Sequence, residues 1–369
     1  MSGRQLAMLR TAFVVPILAL AACTSNPQPA PRELPIPEIV KLKAAENVEN
    51  SRPPLNISIS VFQSEREVSG SLYSSAAQVR SVEQRYLPFL LKETLTRSGH
   101  WGAVRVMPRD DPSAEINVSG TILFSDGVEL KLAIRVQDAR GKVWFEQVYY
   151  DVASELDYAV DPNYQIDPFQ DIYNKIANDM SDVLLLINDD THRQILEVAS
   201  VRYGMALSPE AFSKYLNSEE GLFVLVGLPS LDDPVFERVQ RIRDSEYLFT
   251  DGVDAHYESL HRKLGPTYSW WRYFSYELIV GNQRLKTIDA TRGATRGSWY
   301  AMERIYKTHK ESKMNEDALR ELTASFDRET APIVTEIAGR VVELDGTLDT
   351  QYTQWRRLLR QLYLNETEL

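Results

Sequence analysis

Three strand-length runs stand one after another between residues 115 and 151: "EINVSGTILFSD", "GVELKLAIRVQD" and "GKVWFEQVYYD". Each alternates apolar and polar side chains, and only Asp126-Gly127 and Asp138-Ala139-Arg140-Gly141 interrupt them. A period of two sends the apolar side chains to one face of a strand, and short polar turns containing glycine are hairpin signals. A chain with this centre must build an antiparallel meander and cover one of its faces. The cover is written upstream. "NISISVF" (56–62) alternates as a strand, 74–98 reads as a helix, and "GAVRVMP" (102–108) is a short strand. In the helix Val79, Val82, Leu87, Leu90 and Leu95 fall broadly on one side, Gly99 ends it, and Pro88 predicts a kink or break. The expected order is β-α-β-β-β-β, a small α/β sandwich-type domain over 55–155 within an α+β chain.

From residue 160 the pattern turns helical. Asp167 suits an N-cap and Pro168 the first helical position, and Phe169, Ile172, Tyr173, Ile176, Met180, Val183, Leu184 and Ile187 follow at helical spacing. Further helices are expected over 191–207, from Ser208-Pro209, over 233–251, 254–264, 269–285, 299–310 and 316–327. This mainly helical domain spans 160–330. The tail, 331–369, reads as a strand ("VVELDGT"), a glycine turn and a final helix that buries Trp355, Leu358, Leu359 and Leu362.

The amino terminus has another character. Arg4 and Arg10 precede an apolar run ending in Leu20-Ala21-Ala22-Cys23, and Cys23 is the only cysteine in the chain. A basic start, a short apolar stretch and a small-residue end make an export signal over 1–22. The stretch is too short to span a bilayer, which takes about 20 residues. The four closing residues resemble the lipobox of bacterial lipoproteins. The resemblance implies cleavage between Ala22 and Cys23, diacylglycerol on the Cys23 sulfur and a fatty acid such as palmitate on the new amine. Thr24, where an aspartate would favour inner-membrane retention, implies the outer membrane, periplasmic face. Residues 23–54 then form a Pro-rich linker, with prolines at 27, 29, 31, 35, 37, 53 and 54. Fully extended, it would reach on the order of 100 Å. Leu34, Ile36, Ile39, Val40 and Leu42 offer it a chance to dock on a partner or on the body.

The strand meander behind a lipoprotein linker, carried by "SGTILFSDGVELKLAIRVQDARGKVWFEQVYYD", resembles the group of periplasmic α/β domains that includes the amino-terminal domain of TolB, LpoB, CsgG and PelC. That resemblance implies a domain that binds partners or oligomerises and does no chemistry.

Residues suited to catalysis are sparse. His256 and His261 are five apart, about 140° round a helix, so they do not share a metal; they read as surface histidines. His100, His192 and His309 stand alone. "TRGATRGSW" (291–299) reads as a loop between helices rather than an anion site. No Gly-x-Ser-x-Gly elbow is present, and a lone cysteine excludes dithiol chemistry. Asp157, Asp161, Asp167 and Asp171 cluster, but helix N-termini recruit aspartate for their own dipoles. The densest aromatic stretch, "YSWWRYFSYEL" (268–278), places Trp271, Phe274 and Leu278 on one helix face, expected as core. Trp270, Tyr273 and Glu277 lie on another, which makes Trp270 and Tyr273 candidate interface residues.

The net charge is −11, and loss of the signal takes it to −13. Such a chain is a poor match for nucleic acid. The expected function is that of a lipid-anchored periplasmic scaffold or accessory subunit of a bacterial cell-envelope assembly, secretion or polysaccharide-export system. It acts by protein–protein contacts, is not an enzyme and needs no cofactor or metal. Its partners are the membrane, through lipid on Cys23, and envelope proteins, including other copies of itself. The alternative is a regulator of a peptidoglycan synthase reached through the wall. A peptidoglycan hydrolase is disfavoured.

Overall fold

Period-two alternation becomes a single mixed sheet in the computed structural model, which describes residues 39–45, 52–65, 74–111, 114–159, 167–230, 233–292, 333–337, 340–344 and 346–365. Strands β1 (Ile57–Ser60), β2 (Gln63–Ser64), β3 (Val104–Met107), β4 (Ile116–Ser125), β5 (Glu129–Asp138) and β6 (Val143–Val152) lie in the order β3-β1-β4-β5-β6, with β2 beside β4. β1 is parallel to β3 and β4, and β4, β5 and β6 are antiparallel. The two turns close as their aspartates dictate. Asp126 Oδ1 accepts the amides of Val128 and Glu129, each at 2.7 Å. Asp138 Oδ1 accepts those of Arg140 (2.9 Å) and Lys142 (3.2 Å).

One sheet face carries Ile57, Ile59, Ile116, Val118, Ile122, Leu130, Leu132, Ile134 and Val136, all buried. Helix α1 (Ser74–Ser98) lies over it with Val82, Leu87, Leu91 and Leu95. α1 runs unbroken through Pro88. Proline has no amide for the Gln84 carbonyl one turn earlier, and that carbonyl instead accepts the Phe62 amide at 2.8 Å. The freed acceptor thus pins the end of β1 to the helix. Gly99, at φ 71°, ends α1 as expected.

Beyond the sheet come α2 (Glu155–Ala159), α3 (Gln170–Leu186), α4 (Asp189–Leu207), α5 (Pro209–Phe212), β7 (Leu216–Glu219), β8 (Leu222–Leu225), α6 (Pro234–Arg292), β9 (Ile333–Ile337), β10 (Arg340–Leu344) and α7 (Leu348–Asn365). The chain is therefore mixed α/β, a sheet with a helical carboxy-terminal region. α3 lies directly on the sheet unit: Tyr149 of β6 donates to Asp179 at 2.7 Å, and Gln170 donates to Thr94 of α1 at 3.0 Å. α3 begins at Gln170, slightly later than expected, with Asp167 Oδ1 accepting the Phe169 amide at 2.9 Å. The tail opens with a hairpin, β9–β10, where one strand was expected. Trp355 and Leu359 of α7 are fully buried, while Leu358 and Leu362 are half-buried.

The largest departure is α6. Three helices were expected over 233–285, yet α6 is one helix of 59 residues, about 90 Å long at 1.5 Å per residue. Neither Gly252 nor Gly265-Pro266 ends it. Val239, Ile242, Glu246, Phe249, Val253, Tyr257, Leu260, Leu264, Tyr268, Arg272 and Tyr276 are buried at intervals of three or four. That stripe stays on one side of an unbroken helix, so packing overrides the local breakers. Pro266 is on the exposed side, where water meets the freed carbonyl. The Asp233 carboxylate caps the start, taking the Val235 amide at 2.9 Å. α6 also closes the β3 edge of the sheet: Asp254 Oδ1 takes the Val106 amide at 3.0 Å, and Arg105 pairs with Asp251 at 2.6 Å.

The loop expected over 291–299 loses its first two residues, Thr291 and Arg292, to α6; the rest of it, the helices expected over 299–310 and 316–327, and residues 1–38 with Ala22 and Cys23 lie outside the described residues.

Candidate interaction site

The half of the linker nearest the body is not a free spacer. Residues 39–45 form a strap along α3, held by side chains one helical turn apart. Asp171 Oδ1 accepts the Val40 amide (2.9 Å), and Asn174 Nδ2 donates to the Val40 carbonyl (2.7 Å). Asn178 donates to the Lys41 carbonyl (2.9 Å) and accepts the Lys43 amide (2.8 Å), and Lys43 pairs with Asp182 at 2.7 Å. Asn178 presents one donor and one acceptor to the strap, so it reads an extended backbone as a neighbouring strand would, while Asn174 gives its donor to the strap and its oxygen to Gln170. Val40 and Leu42 are half-buried and Ile39 is exposed. The strap starts at the first turn of α3, beside the β4–β5 end of the sheet.

At the opposite end, next to the β5–β6 turn, sits the hairpin β7–β8. Glu220 and Gly221 both have positive φ, 52° and 81°, as a two-residue hairpin turn requires. The Phe223 amide donates to the Arg140 carbonyl at 2.8 Å, and the Val226 amide to the Tyr215 carbonyl at 2.8 Å. Phe223 turns inward beneath the Arg202 guanidinium, 4.2 Å from the ring centre. The alternate side chains Leu222, Val224, Val226 and Leu228 point outward and are 46%, 61%, 60% and 47% exposed. Leu222 and Val224 alternate outward along β8, and Val226 and Leu228 follow in the chain beyond it, so four exposed aliphatic side chains stand within seven residues. Glu219 and Glu220 flank them, also exposed. "LFVLVGL" (222–228) is apolar on both faces, the pattern of a strand covered twice, yet only one face is covered. In the sequence the run registers only as too short to span a membrane.

The aromatic stretch of α6 is arranged differently from the expectation. Its buried centre is Arg272, with Tyr268 and Tyr276, rather than Trp271. Trp271 is half-buried at the edge of that stripe, and the side chains of Phe274, Leu278 and Trp270 lie outside those described. Tyr273 is half-buried, 5.8 Å from the Tyr158 ring, and its hydroxyl donates to Glu277 at 2.6 Å. Arg272 Nη2 meets Glu83 Oε1 at 3.2 Å, Nε donates to the Tyr268 hydroxyl at 2.6 Å, and Nη1 donates to the Asp126 carbonyl. Phe169 lies 4.6 Å from the guanidinium. Glu83 is further held by Ser125 (2.6 Å) and Tyr268 (3.0 Å). This network fastens the far half of α6 to α1 and to the β4–β5 turn. Gly127 belongs to that contact: a Cβ there would stand 2.6 Å from the Arg272 carbonyl oxygen.

The remaining titratable residues also build structure. Asp157 accepts the Ser154 amide at 2.6 Å, Asp167 is half-buried with its carboxyl pushed up by desolvation, and Asp161 lies outside the described residues. Asp151 is pushed up to about 7, first by burial and then by Asp171 and Asp157. His261 is not on the surface: its ring stacks between Tyr86 and Phe89, 4.4 Å from each, and burial lowers it to about 4. His192 is buried too. Among the described residues no cluster of His, Cys, Asp and Glu is spaced to hold a metal ion, and no helix is long and apolar enough to cross a membrane.

No family model matches the chain, and no curated protein matches it. Four solved chains match. One is a crystal structure of a Xanthomonas campestris protein of the DUF330 family, 10% identical, with the match covering 42% of this chain and 97% of that one. Its TM-score is 0.23, and at that value the likeness carries no argument about function.

Proposed function

We propose that this protein is a lipid-anchored periplasmic scaffold or accessory subunit of a bacterial envelope system, and that it works by holding a protein partner rather than by catalysis. The observation that carries the reading is the aliphatic edge Leu222, Val224, Val226 and Leu228, set at the end of the sheet away from the start of the strap. Exposed apolar side chains in a row lower their free energy only when something covers them. Glu219 and Glu220 beside the edge disfavour an anionic lipid surface and leave a protein as the fitting cover. The strand order behind a Pro-rich tether supports the grouping with TolB-type, LpoB-type, CsgG-type and PelC-type interaction domains.

The strap also bears on the synthase-regulator alternative. With residues 39–45 fastened to α3, the stretch from Thr24 to Glu38 reaches at most about 50 Å, half the length of the whole linker. That shorter reach favours a partner close to the anchoring membrane.

The test is a photoreactive residue at position 224 of the full chain in its native membrane. The expected result is one discrete adduct, a second copy of the chain or another envelope protein, that is lost when Val226→Asp is added. Lipid adducts alone, or an adduct indifferent to Val226→Asp, would contradict the reading.

A further inference from the structure

Every covalent path from Cys23 to the folded body runs through the strap, residues 39–45. The strap is held at the surface. Its backbone makes four hydrogen bonds to α3 side chains, at Val40, Lys41 and Lys43, and the Ala45 amide donates a fifth to the Ser98 carbonyl at 2.7 Å. The Lys43–Asp182 pair stands in water, with side chains 57% and 50% exposed. Val40 and Leu42 are only half-buried, and Ile39 is 84% exposed. Surface bonds and pairs of this kind give small net gains. Fixing the backbone of a seven-residue segment costs a comparable amount, so the docked strap lies close to balance with an undocked one. Undocking has a stop. Arg52 donates to the Ile187 carbonyl at 3.1 Å, and from Leu55 and Ile57, both 1% exposed, the chain belongs to the core.

The face that the strap covers is built to be wetted. α3 turns its apolar stripe, Ile172, Tyr173, Ile176 and Met180, away into the core, each 2% exposed or less. Toward the strap it presents Asp171, Asn174, Asn178 and Asp182, which water can satisfy when the strap leaves. An apolar groove would hold a permanent strap more firmly, and would be a liability once bare.

We infer that the strap is a releasable latch that sets how far the body can stand from its membrane. The inference rests on the lipid anchor at Cys23 proposed above. With the strap docked, the free tether from Thr24 to Glu38 reaches at most about 50 Å; with the strap released, the tether runs to Pro54 and reaches about 100 Å. A pull at Ile39 loads the bonds to Val40 first and those to Lys41 and Lys43 next, so the strap peels in steps. A partner that lies beyond the shorter reach binds only the released form, and so draws the balance toward it.

The test has two arms, both on the full mature chain. The first is amide hydrogen exchange in detergent. The Val40, Lys43 and Ala45 amides should exchange through a local opening, about a hundredfold or more faster than the amides of β4 and β5. Leu42→Asp alters the strap and leaves α3 untouched; it should speed that exchange further at an unchanged melting temperature. The second arm is energy transfer in phospholipid vesicles, from a donor dye on the thiol of Lys131→Cys, an exposed position, to an acceptor on the lipid headgroups. Transfer should be lower when Leu42→Asp is added. Strap amides that exchange only together with β4 and β5 would overturn the latch. Fast strap exchange with equal transfer in the two proteins would overturn its control of reach. A chain that does not associate with vesicles overturns the anchor, and the reach with it, whereas the exchange arm reads the strap whether or not Cys23 carries lipid.

Discussion

Arg272 and Glu83 meet 3.2 Å apart, with side chains 0% and 1% exposed, and so tie the second half of α6 to α1 through a charge pair that water does not reach. Burying two ions costs several kcal/mol each, and the Coulomb attraction between them offsets that cost only when both are present and well hydrogen-bonded. Tyr268, Ser125 and the Asp126 carbonyl take up most of the remaining donors and acceptors, and Arg80 Nη1 lies 3.5 Å from the second Glu83 oxygen. Glu83→Ala should therefore destabilise by about 3–5 kcal/mol, since it leaves a buried guanidinium unpaired. The double change Glu83→Leu with Arg272→Met should cost less than that single change, the remainder being the Arg80 guanidinium that also faces Glu83. Denaturant unfolding of the single and double variants measures both. A double variant as unstable as Glu83→Ala would show that the pair is not a closed unit.

The strap rests on two asparagines. Asn174→Ala with Asn178→Ala removes side-chain hydrogen bonds worth about 1 kcal/mol each and leaves the strap backbone unanswered. Trypsin should then cut after Lys41 and Lys43 much faster than in the parent chain, with the core unaffected. Equal cutting rates would mean that Asp171, Asp182 and the apolar contacts of Val40 and Leu42 hold the strap without the asparagines.

Two buried groups make stability depend on pH in opposite directions. His261 is lowered from 6.5 to about 4, so between those values the unfolded chain binds a proton that the native chain does not. Its contribution to stability falls as pH drops through that window. Asp151 is raised from 3.8 to about 7, so the native chain binds the extra proton and stability rises on acidification over that range. Burial raises Glu93, Asp126, Asp167 and Glu246 as well, so each variant is compared with the parent's own profile. His261→Phe keeps the stack on Tyr86 and Phe89 and should gain stability as pH falls. Asp151→Asn keeps an acceptor for the Val152 amide and should lose it. Melting temperatures across the window check the crossing, and parallel profiles for all three proteins would contradict it.

Much of the sheet is legible in the sequence because its signals are local. The alternating runs 115–151 and the Asp-Gly and Asp-Ala-Arg-Gly turns need no tertiary information to be read. α6 is not legible in this way. Gly252, Gly265 and Pro266 are breakers by local propensity, and they lose to a buried stripe that only the finished packing reveals. The same reason hides Arg272. An arginine among aromatics reads as surface charge until Glu83, almost two hundred residues earlier, is placed opposite it. The partner edge at 222–228 is visible as apolar residues, but whether an apolar strand is covered on one face or two depends on neighbours far away in the chain.

A lipid anchor at Cys23 is the central claim, and intact-mass spectrometry of the protein extracted from its native membranes tests it most directly. The expected species begins at Cys23, has lost residues 1–22, and carries a diacylglycerol and one further fatty acid. Cys23→Ala should abolish both the processing and the added mass. A mature chain that retains its leader, or that carries a free thiol at Cys23, would contradict the claim.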